Sequence, residues 1–417
     1  METQINRIRQ VIKEVTRFNS TPGEGYSRFS YSEQDRQARE YFSCEFLKLG
    51  LKVRVDGVGN IRARLEGDDP SLSSVMIGSH IDTVLHGGKF DGLLGVAAAL
   101  EVVRVIVDNK LKLLHPIEII IFTEEEGSNF GSTMAGSKAM TGKYTLNDLK
   151  NLKNNDGISM YETANDFGLY IDNIENQQIK PGSVKAMLEM HIEQGSILDN
   201  KKIPIGIVEA VAGSKLLRVE IQGLSNHAGA TPMNLRKDPM VAAAKIISAV
   251  EKIVREEALN TTVGTVGKIF CYPNVPNCIP GKVSFTVDVR DVTAQGIELA
   301  VQEINRIIKQ ICDLHEVSAN VGVIAESNAF VLSEKIINLL EKTALRKKLP
   351  YIRMNSGAVH DSCMMTDVTD VGIIFVPSID GRSHVPEEDT RYEDIKLGSD
   401  LLLETVLMLA GEAMSLI

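Results

Sequence analysis

Three consecutive glutamates, Glu124, Glu125 and Glu126, could carry acid–base or metal chemistry. They directly follow the apolar, β-branched run Ile117 to Phe122, which is typical of a buried strand. Ligands in open α/β sheets bind outside the carboxyl ends of the strands. Adjacent carboxylates in a closed site repel one another unless cations neutralise them. The stretch therefore predicts a cation site, and the alternative interpretation is a solvated acidic loop.

Other residues of metal-binding type also follow strand-like runs, which favours the cation site. These residues are His80, Asp82, Asp91, His191 and His384. Taken singly, each has a plainer interpretation, because a lone histidine is usually structural and an aspartate before a helix is often an N-cap. The recurrence of the pattern after separate strands indicates that these residues share one site.

The mixture of imidazoles and carboxylates suits two divalent ions. The predicted ligands are His80, Asp91, Glu126, His191 and His384. Zn²⁺ accepts this nitrogen and oxygen set, as do Mn²⁺ and Co²⁺. Two such ions can share one carboxylate, which we assign to Asp91. The other ligands of an ion would then be His80 and Glu126, or His191 and His384.

Two further carboxylates have predicted roles beside the ions. Glu125 is left without a metal to bind and is in the right place for a general base. Asp82 alternates with His80 along the chain, so it can orient that imidazole through a hydrogen bond. Spacing alone leaves these roles open.

Composition limits the classes of protein that the chain can belong to. Its 417 residues predict two to three domains, and its net charge of -10 argues against a nucleic-acid partner. The five cysteines form no CxxC pair, which argues against a disulfide framework or a zinc ribbon and favours a reducing cytoplasm. No signal peptide is recognisable, and no apolar run reaches the ~20 residues that a membrane span needs.

The order of elements predicts an α/β fold interrupted by a second domain. Residues 1–213 and 329–417 read as a mixed sheet between helices. The predicted details include polar surface decoration over 144–182, a turn over 354–361 and a last helix over 397–413. Residues 214–328 show a βαββαβ order, typical of a ferredoxin-like unit. Its predicted elements are strands at 216–222, 262–270, 283–289 and 318–324 and helices at 239–257 and 294–314.

Several motifs together resemble one family of enzymes. They are Gly78-Ser79-His80-Ile81-Asp82-Thr83, Gly88-Lys89-Phe90-Asp91-Gly92, Thr123-Glu124-Glu125-Glu126-Gly127, His191-Ile192-Glu193-Gln194-Gly195, Asn226-His227-Ala228-Gly229 and Ser356-Gly357-Ala358-Val359-His360-Asp361. The chain is similar to the dinuclear-metal amidohydrolases related to aminoacylase. More narrowly, it resembles the N-carbamoyl-L-amino-acid hydrolase, allantoate amidohydrolase and β-ureidopropionase group. The resemblance runs from about residue 20 to the end.

The resemblance implies the same five metal ligands, with Glu125 as base and Asp82 beside His80. It also implies a substrate site made by Gln194, His227, Asn277, Arg290 and Gly357. Arg290 would grip a carboxylate with its guanidinium fork, although an arginine in this setting is commonly part of a solvated ion pair. His227 would stabilise an oxyanion, carried by an inserted domain that acts as a lid and pairs with its twin in a homodimer.

The predicted reaction is hydrolysis of a ureido C–N bond. A metal-acidified water would attack the ureido carbonyl after Glu125 takes its proton, giving amino acid, ammonia and carbon dioxide. The allantoate enzymes resemble a Gly-Gln-Arg-Arg pattern where this chain has Gly213-Ser214-Lys215-Leu216. That departure favours N-carbamoyl-L-amino acids over allantoate. β-Ureidopropionate, acyl-amino acids and peptides stay open, as does a non-catalytic binding protein on the same fold.

Overall fold

The computed structural model describes residues 1–411, which form two compact units. The major unit comprises Met1–Glu209 and Leu332–Ile417, and the inserted unit comprises Ala210–Val331. The crossings therefore lie within a few residues of the predicted boundaries at 213/214 and 328/329. Residues 412 and 413 of the predicted last helix lie outside the described part of the chain, and so do residues 414–417 of the predicted catalytic domain.

The strands are numbered in chain order. They are β1 (Lys52–Val55), β2 (Ile61–Leu65), β3 (Ser74–His80), β4 (Ile117–Phe122), β5 (Val184–Ile192), β6 (Gly206–Val211), β7 (Gly213–Gln222), β8 (Asn226–His227), β9 (Val263–Tyr272), β10 (Cys278–Ile279), β11 (Lys282–Asp291), β12 (Ser318–Ser327), β13 (Phe330–Val331), β14 (Ile352–Ser356) and β15 (Asp370–Val376).

The helices follow the same numbering. They are α1 (Ile5–Val15), α2 (Glu33–Lys48), α3 (Leu93–Asp108), α4 (Ala135–Met140), α5 (Leu146–Asn151), α6 (Met160–Phe167), α7 (Ile197–Lys201), α8 (Pro239–Lys252), α9 (Ala294–Leu314), α10 (Glu334–Lys347), α11 (Asp361–Met364) and α12 (Tyr392–Ala410). None of the helices in residues 1–411 is both long and apolar enough to cross a membrane.

A nine-stranded mixed sheet, of which every strand except β13 begins in the major unit, confirms the predicted fold class. The strand order is β1-β2-β4-β3-β5-β15-β6-β13, with β14 also paired to β6. Its centre, β4-β3-β5-β15, is parallel, and β2 and β6 flank it in the antiparallel sense. Every residue of β3 and β4 is buried, so helices cover both faces, as a parallel sheet requires.

The inserted unit is an antiparallel sheet of order β12-β7-β11-β9 with α8 and α9 on one face. Burial alternates along β11, because Val283, Phe285, Val287 and Val289 face the helices and the residues between them do not. This order of strands is that of the split βαβ unit. The predicted helix 239–257 is a regular α-helix only to Lys252, since Ile253–Glu257 forms a π turn that apolar spacing does not reveal.

Two predictions about the major unit were wrong in detail. The segment 144–182 is not mere surface decoration, because it buries Leu149, Met160 and Ile171 in a small core with Tyr31. The region around Met354 is not only a turn, because it forms strand β14. In both cases short apolar stretches lacked a clear period, so only tertiary packing assigns them.

Candidate active site

The parallel strands deliver the predicted residues to one edge of the central sheet. His80 ends β3, Glu125 follows β4, and His191 lies near the end of β5. In the register, His80 stands opposite Phe122, the last residue of β4. Because the carboxyl ends of parallel strands meet at the same edge, residues far apart in the chain become neighbours.

Asp91 is the centre of the first cluster. Its Oδ1 atom lies 3.1 Å from Nε2 of His191 and 3.5 Å from Nε2 of His80. All three side chains are at least 95% buried. The ligand atoms of the three residues lie within 4.8 Å of one another, close enough to hold one metal ion.

The second cluster uses the other oxygen of Asp91. Nε2 of His384 lies 3.2 Å from Oδ2 of Asp91 and 3.4 Å from a carboxylate oxygen of Glu126. The structure thus pairs His80 with His191 and Glu126 with His384, unlike either pairing expected from the sequence. Asp91 is common to both clusters, which is the position expected for a bridging carboxylate.

Backbone hydrogen bonds orient both buried imidazoles. Nδ1 of His80 lies 3.0 Å from the carbonyl oxygen of Asp82, and Nδ1 of His191 lies 2.9 Å from that of Ile192. Each Nδ1–H can therefore donate outward, which leaves the Nε2 lone pair directed at Asp91. The backbone N–H of Gly92 also donates to Nε2 of His191, in agreement with that tautomer.

The residues fit divalent cations on the evidence of their own unsatisfied acceptors. Imidazole lone pairs and carboxylate oxygens converge with too few protons between them. In addition, Oε1 of Glu126 is buried and has no hydrogen-bond donor among the described residues. Buried acceptors that face one another are stable only with a proton or a cation between them.

The clustered carboxylates and histidines have pKa values shifted from their ordinary ones. Burial raises the pKa of Glu125 well above its ordinary value, and burial with the charge of Asp91 raises that of Glu126 to about 8. The hydrogen bond to Asp91 is the main cause that raises the pKa of His384 to about 9. Burial opposes ionisation of Asp91, but the surrounding histidines hold its pKa well below the usual range.

Asp82 lies beside His80 but bonds elsewhere. Its carboxylate is 3.8 Å from Nδ1 of His80 and accepts the backbone N–H groups of Glu125 and Glu126, at 3.3 and 3.1 Å. The carboxylate therefore fixes the acidic turn, while the carbonyl of the same residue orients the imidazole. Its predicted catalytic role stays a prediction.

Gln194 adjoins the second cluster. Its side-chain amide donates to Oδ2 of Asp91 at 2.8 Å and lies 3.2 Å from Nε2 of His384. Gln194, His384 and Glu124 all have positive φ angles near +57°, at 59°, 59° and 56°. Such angles cost about 1–3 kcal/mol each for a non-glycine residue and concentrate at functional sites.

Two residues that support the site were missed in the sequence. Glu388 is 2% exposed and accepts the backbone N–H groups of Phe90 and Asp91, at 2.8 and 3.1 Å. The hydroxyl of Ser383 lies 3.0 Å from Oδ2 of Asp91 and 3.2 Å from Oε2 of Glu388, so its single proton can be donated to either. This pair ties the loop of His384 to the loop of Asp91. The signal was the acidic pair that follows His384, which reads as an ordinary charged turn.

The loop that carries Asp91 accepts only a glycine at the next position, Gly92. Its φ of +64° is in the left-handed region, and a Cβ atom there would lie 2.3 Å from Cε1 of the His80 ring. Any side chain would displace the imidazole. Gly357, the other predicted glycine of the site, directly follows β14 and has open space around its Cβ position.

The inserted unit carries His227 and Asn277 together. Strand β8 pairs with β10, and the N–H of Ala228 donates to the carbonyl of Asn277. Nδ1 of His227 accepts the backbone N–H groups of Gly229 and Ala230, both at 3.1 Å. The ring proton therefore belongs on Nε2, so this exposed imidazole presents a hydrogen-bond donor.

Arg290 lies on β11, on the face of the sheet away from α8 and α9. Its guanidinium forms an ion pair with Asp288 at 2.9 Å, and the arginine side chain is 43% exposed. This is the ion pair that the plainer interpretation expected. Lys215, in the segment that departs from the allantoate pattern, is 3.4 Å from Glu298 and 3.7 Å from Glu326.

Comparisons with known proteins identify the family to which the chain is similar. The model of peptidase family M20/M25/M40 matches residues 76–408. The chain is 37% identical over 405 residues to an N-carbamoyl-L-amino-acid amidohydrolase of Paenarthrobacter aurescens, covering 97% of this chain and 98% of the relative. It is 32% identical over 414 residues to the allantoate amidohydrolase of Escherichia coli strain K12, covering 98% and 100%.

A solved structure shows the same fold. It is an amidase of the hydantoinase/carbamoylase family from Burkholderia multivorans, with a TM-score of 0.93 and 30% sequence identity. The match covers 98% of each chain.

Proposed function

This chain belongs to peptidase family M20/M25/M40, and on that premise we propose that it hydrolyses the ureido C–N bond of N-carbamoyl-L-amino acids. It is a hydrolase of carbon–nitrogen bonds, as its relatives are. The observation that carries the proposal is the shared carboxylate of Asp91, with Glu125 beside it. This arrangement supports activation of water against an unreactive amide-type carbonyl.

The five clustered residues would hold two divalent ions, Zn²⁺, Mn²⁺ or Co²⁺. When bound, such ions supply Lewis acidity and lower the pKa of a water molecule to about 7. His80 and His191 would serve one ion, Glu126 and His384 the other, and Asp91 both. The geometry supports this division, because the ligand atoms within each of the two clusters lie within 4.8 Å of one another.

Glu125 is proposed as the proton carrier. Its side chain is only 11% exposed, and its carboxylate lies 3.9 Å from Nε2 of His80. A buried carboxylate with a raised pKa can hold a proton between two steps. Glu125 would take a proton from water as oxygen attacks the ureido carbon. It would return that proton to the leaving nitrogen as the first C–N bond breaks. The carbamic acid that remains would then decompose by cleavage of its own C–N bond, so the final products are amino acid, ammonia and carbon dioxide.

Residues of the inserted unit are proposed to bind the substrate. The Nε2–H donor of His227 would stabilise the oxyanion, with Asn277 held next to it. Arg290 would exchange its bond to Asp288 for the substrate carboxylate, because a guanidinium fork matches either carboxylate. Gln194 and Gly357, in the major unit, are also proposed to bind the substrate.

Allantoate is the second candidate substrate, because a 32% identical relative is named for it. Recognition of a second ureido arm would need additional polar side chains. In this chain Leu216 is apolar, and Lys215 already lies near two glutamates. These features support the carbamoyl amino acid.

The test is an activity panel with the metal-loaded protein. N-carbamoyl-L-amino acids, allantoate, β-ureidopropionate and acyl-amino acids are each assayed with Zn²⁺, Mn²⁺ or Co²⁺, and N-carbamoyl-D-amino acids are the matched control. The highest kcat/KM is expected for an N-carbamoyl-L-amino acid. Much faster turnover of allantoate would replace the proposal by its alternative.

A homodimer formed through the inserted unit is also proposed. The sheet edges β9 and β12 expose Phe270 (62%), Tyr272 (73%), Val323 (53%) and Ile324 (45%). Exposed apolar edge strands are typical interaction sites. Sedimentation should show a dimer at micromolar concentration, and Phe270→Glu should yield monomers. The control is Leu345→Glu, which changes a 66% exposed leucine of the major unit and should leave the dimer intact. A monomeric wild-type protein would refute the dimer.

A cytoplasmic location is proposed as well. All five cysteines are free thiols, as a reducing compartment would keep them.

A further inference from the structure

A cleft of about 500 Å³ lies in the major unit, between the β1–β2 hairpin and the segment 176–183. We propose that it binds a small dianion through phosphate or carboxylate oxygens. The charged side chains that line it are four cations and two carboxylates, namely Arg54, Arg62, Arg64, Lys180, Asp56 and Glu118. The formal local charge is therefore positive in a chain whose net charge is -10.

Both carboxylates of the cleft are already engaged. One oxygen of Glu118 accepts from Arg62 at 2.7 Å and the other accepts from Arg64 at 2.9 Å. The oxygens of Asp56 accept from Asn60 and from the backbone N–H of Val58. Glu118 is thus already paired with two arginines, and the four cations outnumber the two carboxylates of the lining.

Arg54 and Lys180 are the other two cations. Arg54 stands directly opposite Arg62 in the antiparallel register, a like-charge pair that destabilises a sheet. Its guanidinium is 3.8 Å from the Glu118 oxygen that Arg62 already holds, and its side chain is 63% exposed. Lys180 forms no ion pair within residues 1–411. An anion bound between these two walls would relieve the repulsion.

The lining matches oxyanions in shape as well as in charge. A guanidinium offers two parallel N–H groups to a phosphate or a carboxylate. Oε1 of Gln177 accepts the backbone N–H of Gly57, which leaves the amide nitrogen of Gln177 as a donor. The volume accommodates a molecule with two anionic groups, so a phosphate and a dicarboxylate share the chemistry that this cleft recognises.

The cleft is separate from the candidate active site. Glu118 lies at the start of β4, whereas Glu125 follows the end of that strand. Lys180 and Ser183 precede β5, whereas His191 lies near its end. The cleft extends along β1, β2 and β4, where Arg54 stands opposite Arg62 and Arg64 stands opposite Glu118. None of the five predicted metal ligands lines it. A dianion bound there would act on stability or regulation and would not contact the reacting atoms.

The test is calorimetric titration of the metal-loaded protein with inorganic phosphate and, separately, with succinate, at an ionic strength held constant with sodium chloride. At least one anion should bind saturably. Arg54→Gln and Lys180→Gln should each weaken that binding tenfold or more. The matched control is Arg17→Gln, which removes the same charge from a 73% exposed arginine that follows α1.

The two anions distinguish the source of the ligand. Binding of phosphate alone points to a phosphorylated ligand, and binding of succinate alone points to a dicarboxylate. Either result supports the proposed site if Arg54→Gln weakens the binding of that anion. The proposal is overturned if neither anion binds saturably. It is equally overturned if binding is unchanged in Arg54→Gln, because the anion would then occupy another place such as the metal ligands.

Discussion

The candidate residues of the major unit and those of the inserted unit differ in how they are held. His80, Asp91 and His191 are almost fully buried and locked by backbone hydrogen bonds. His227 and Arg290 are exposed or half-exposed, and local partners merely orient them. Buried groups can be prearranged for chemistry, since they are already desolvated. Exposed groups gain strength only when a ligand excludes water from them.

The first prediction tests the buried group by removing metal, and it carries the largest effect. Chelation should abolish activity, and reloading should restore close to two ions per chain by elemental analysis. His384→Ala should reduce the count to about one, because only the Glu126 cluster loses a ligand. A single tight site that His384→Ala leaves untouched would contradict the five-ligand assignment.

The metal-free protein should also become less stable as pH rises. The folded-state pKa values of Glu126 and His384, about 8 and 9, lie above their ordinary values of 4.5 and 6.5. Each group therefore binds more protons when folded. Its stabilising effect is complete below the ordinary pKa and is lost as pH rises through the folded-state value. Urea unfolding should show a falling free energy between about pH 5 and pH 9, and bound metal should oppose this fall.

The second prediction separates chemistry from metal binding within the buried group. Glu125→Gln should keep both ions and lose roughly 10²–10⁴-fold in kcat, the usual contribution of a general base. Glu124→Gln is the matched control, because Glu124 is not a predicted metal ligand. Its carboxylate instead accepts the backbone N–H groups of Asn129 and Phe130, both at 2.9 Å. Turnover retained in Glu125→Gln would remove Glu125 from the mechanism.

The third prediction concerns the exposed group. His227→Ala should lower kcat by about 10²–10³-fold with little change in metal content, as expected for one lost oxyanion donor. Mixing inactive His227→Ala and Glu125→Gln chains then asks which chain His227 serves. Partial recovery of activity indicates that it acts on the partner's reaction, and continued inactivity indicates that it acts on its own. Unchanged kcat in His227→Ala would exclude either role.

The fourth prediction has the smallest effect. Arg290→Lys should raise KM for carboxylate substrates by about fivefold with kcat nearly unchanged, the equivalent of one lost hydrogen bond of ~1 kcal/mol. The reason is that an ammonium group replaces a two-pronged donor. Steady-state kinetics on a substrate and on its carboxamide analogue checks it, since the analogue should show no such change. A fall in kcat alone would argue against a binding role.

The sequence by itself determined the kinds of residue and the strands that precede them. His80, Glu125 and His191 each follow an apolar run, and the parallel arrangement of those runs is enough to place them at one edge. The interruption of one fold by another was also legible, because the βαββαβ order differs from the pattern on either side. These features are local, so neighbouring residues encode them.

Only the tertiary structure decided how those residues are grouped. It paired His80 with His191 across β3 and β5, and it brought Glu388 under Asp91 from a distant loop. It also opposed Arg54 to Arg62 and set Lys180 on the other wall of the same cleft. Sequence spacing carries no information on such distances, because strand order and loop paths fix them, and those depend on how the whole chain packs.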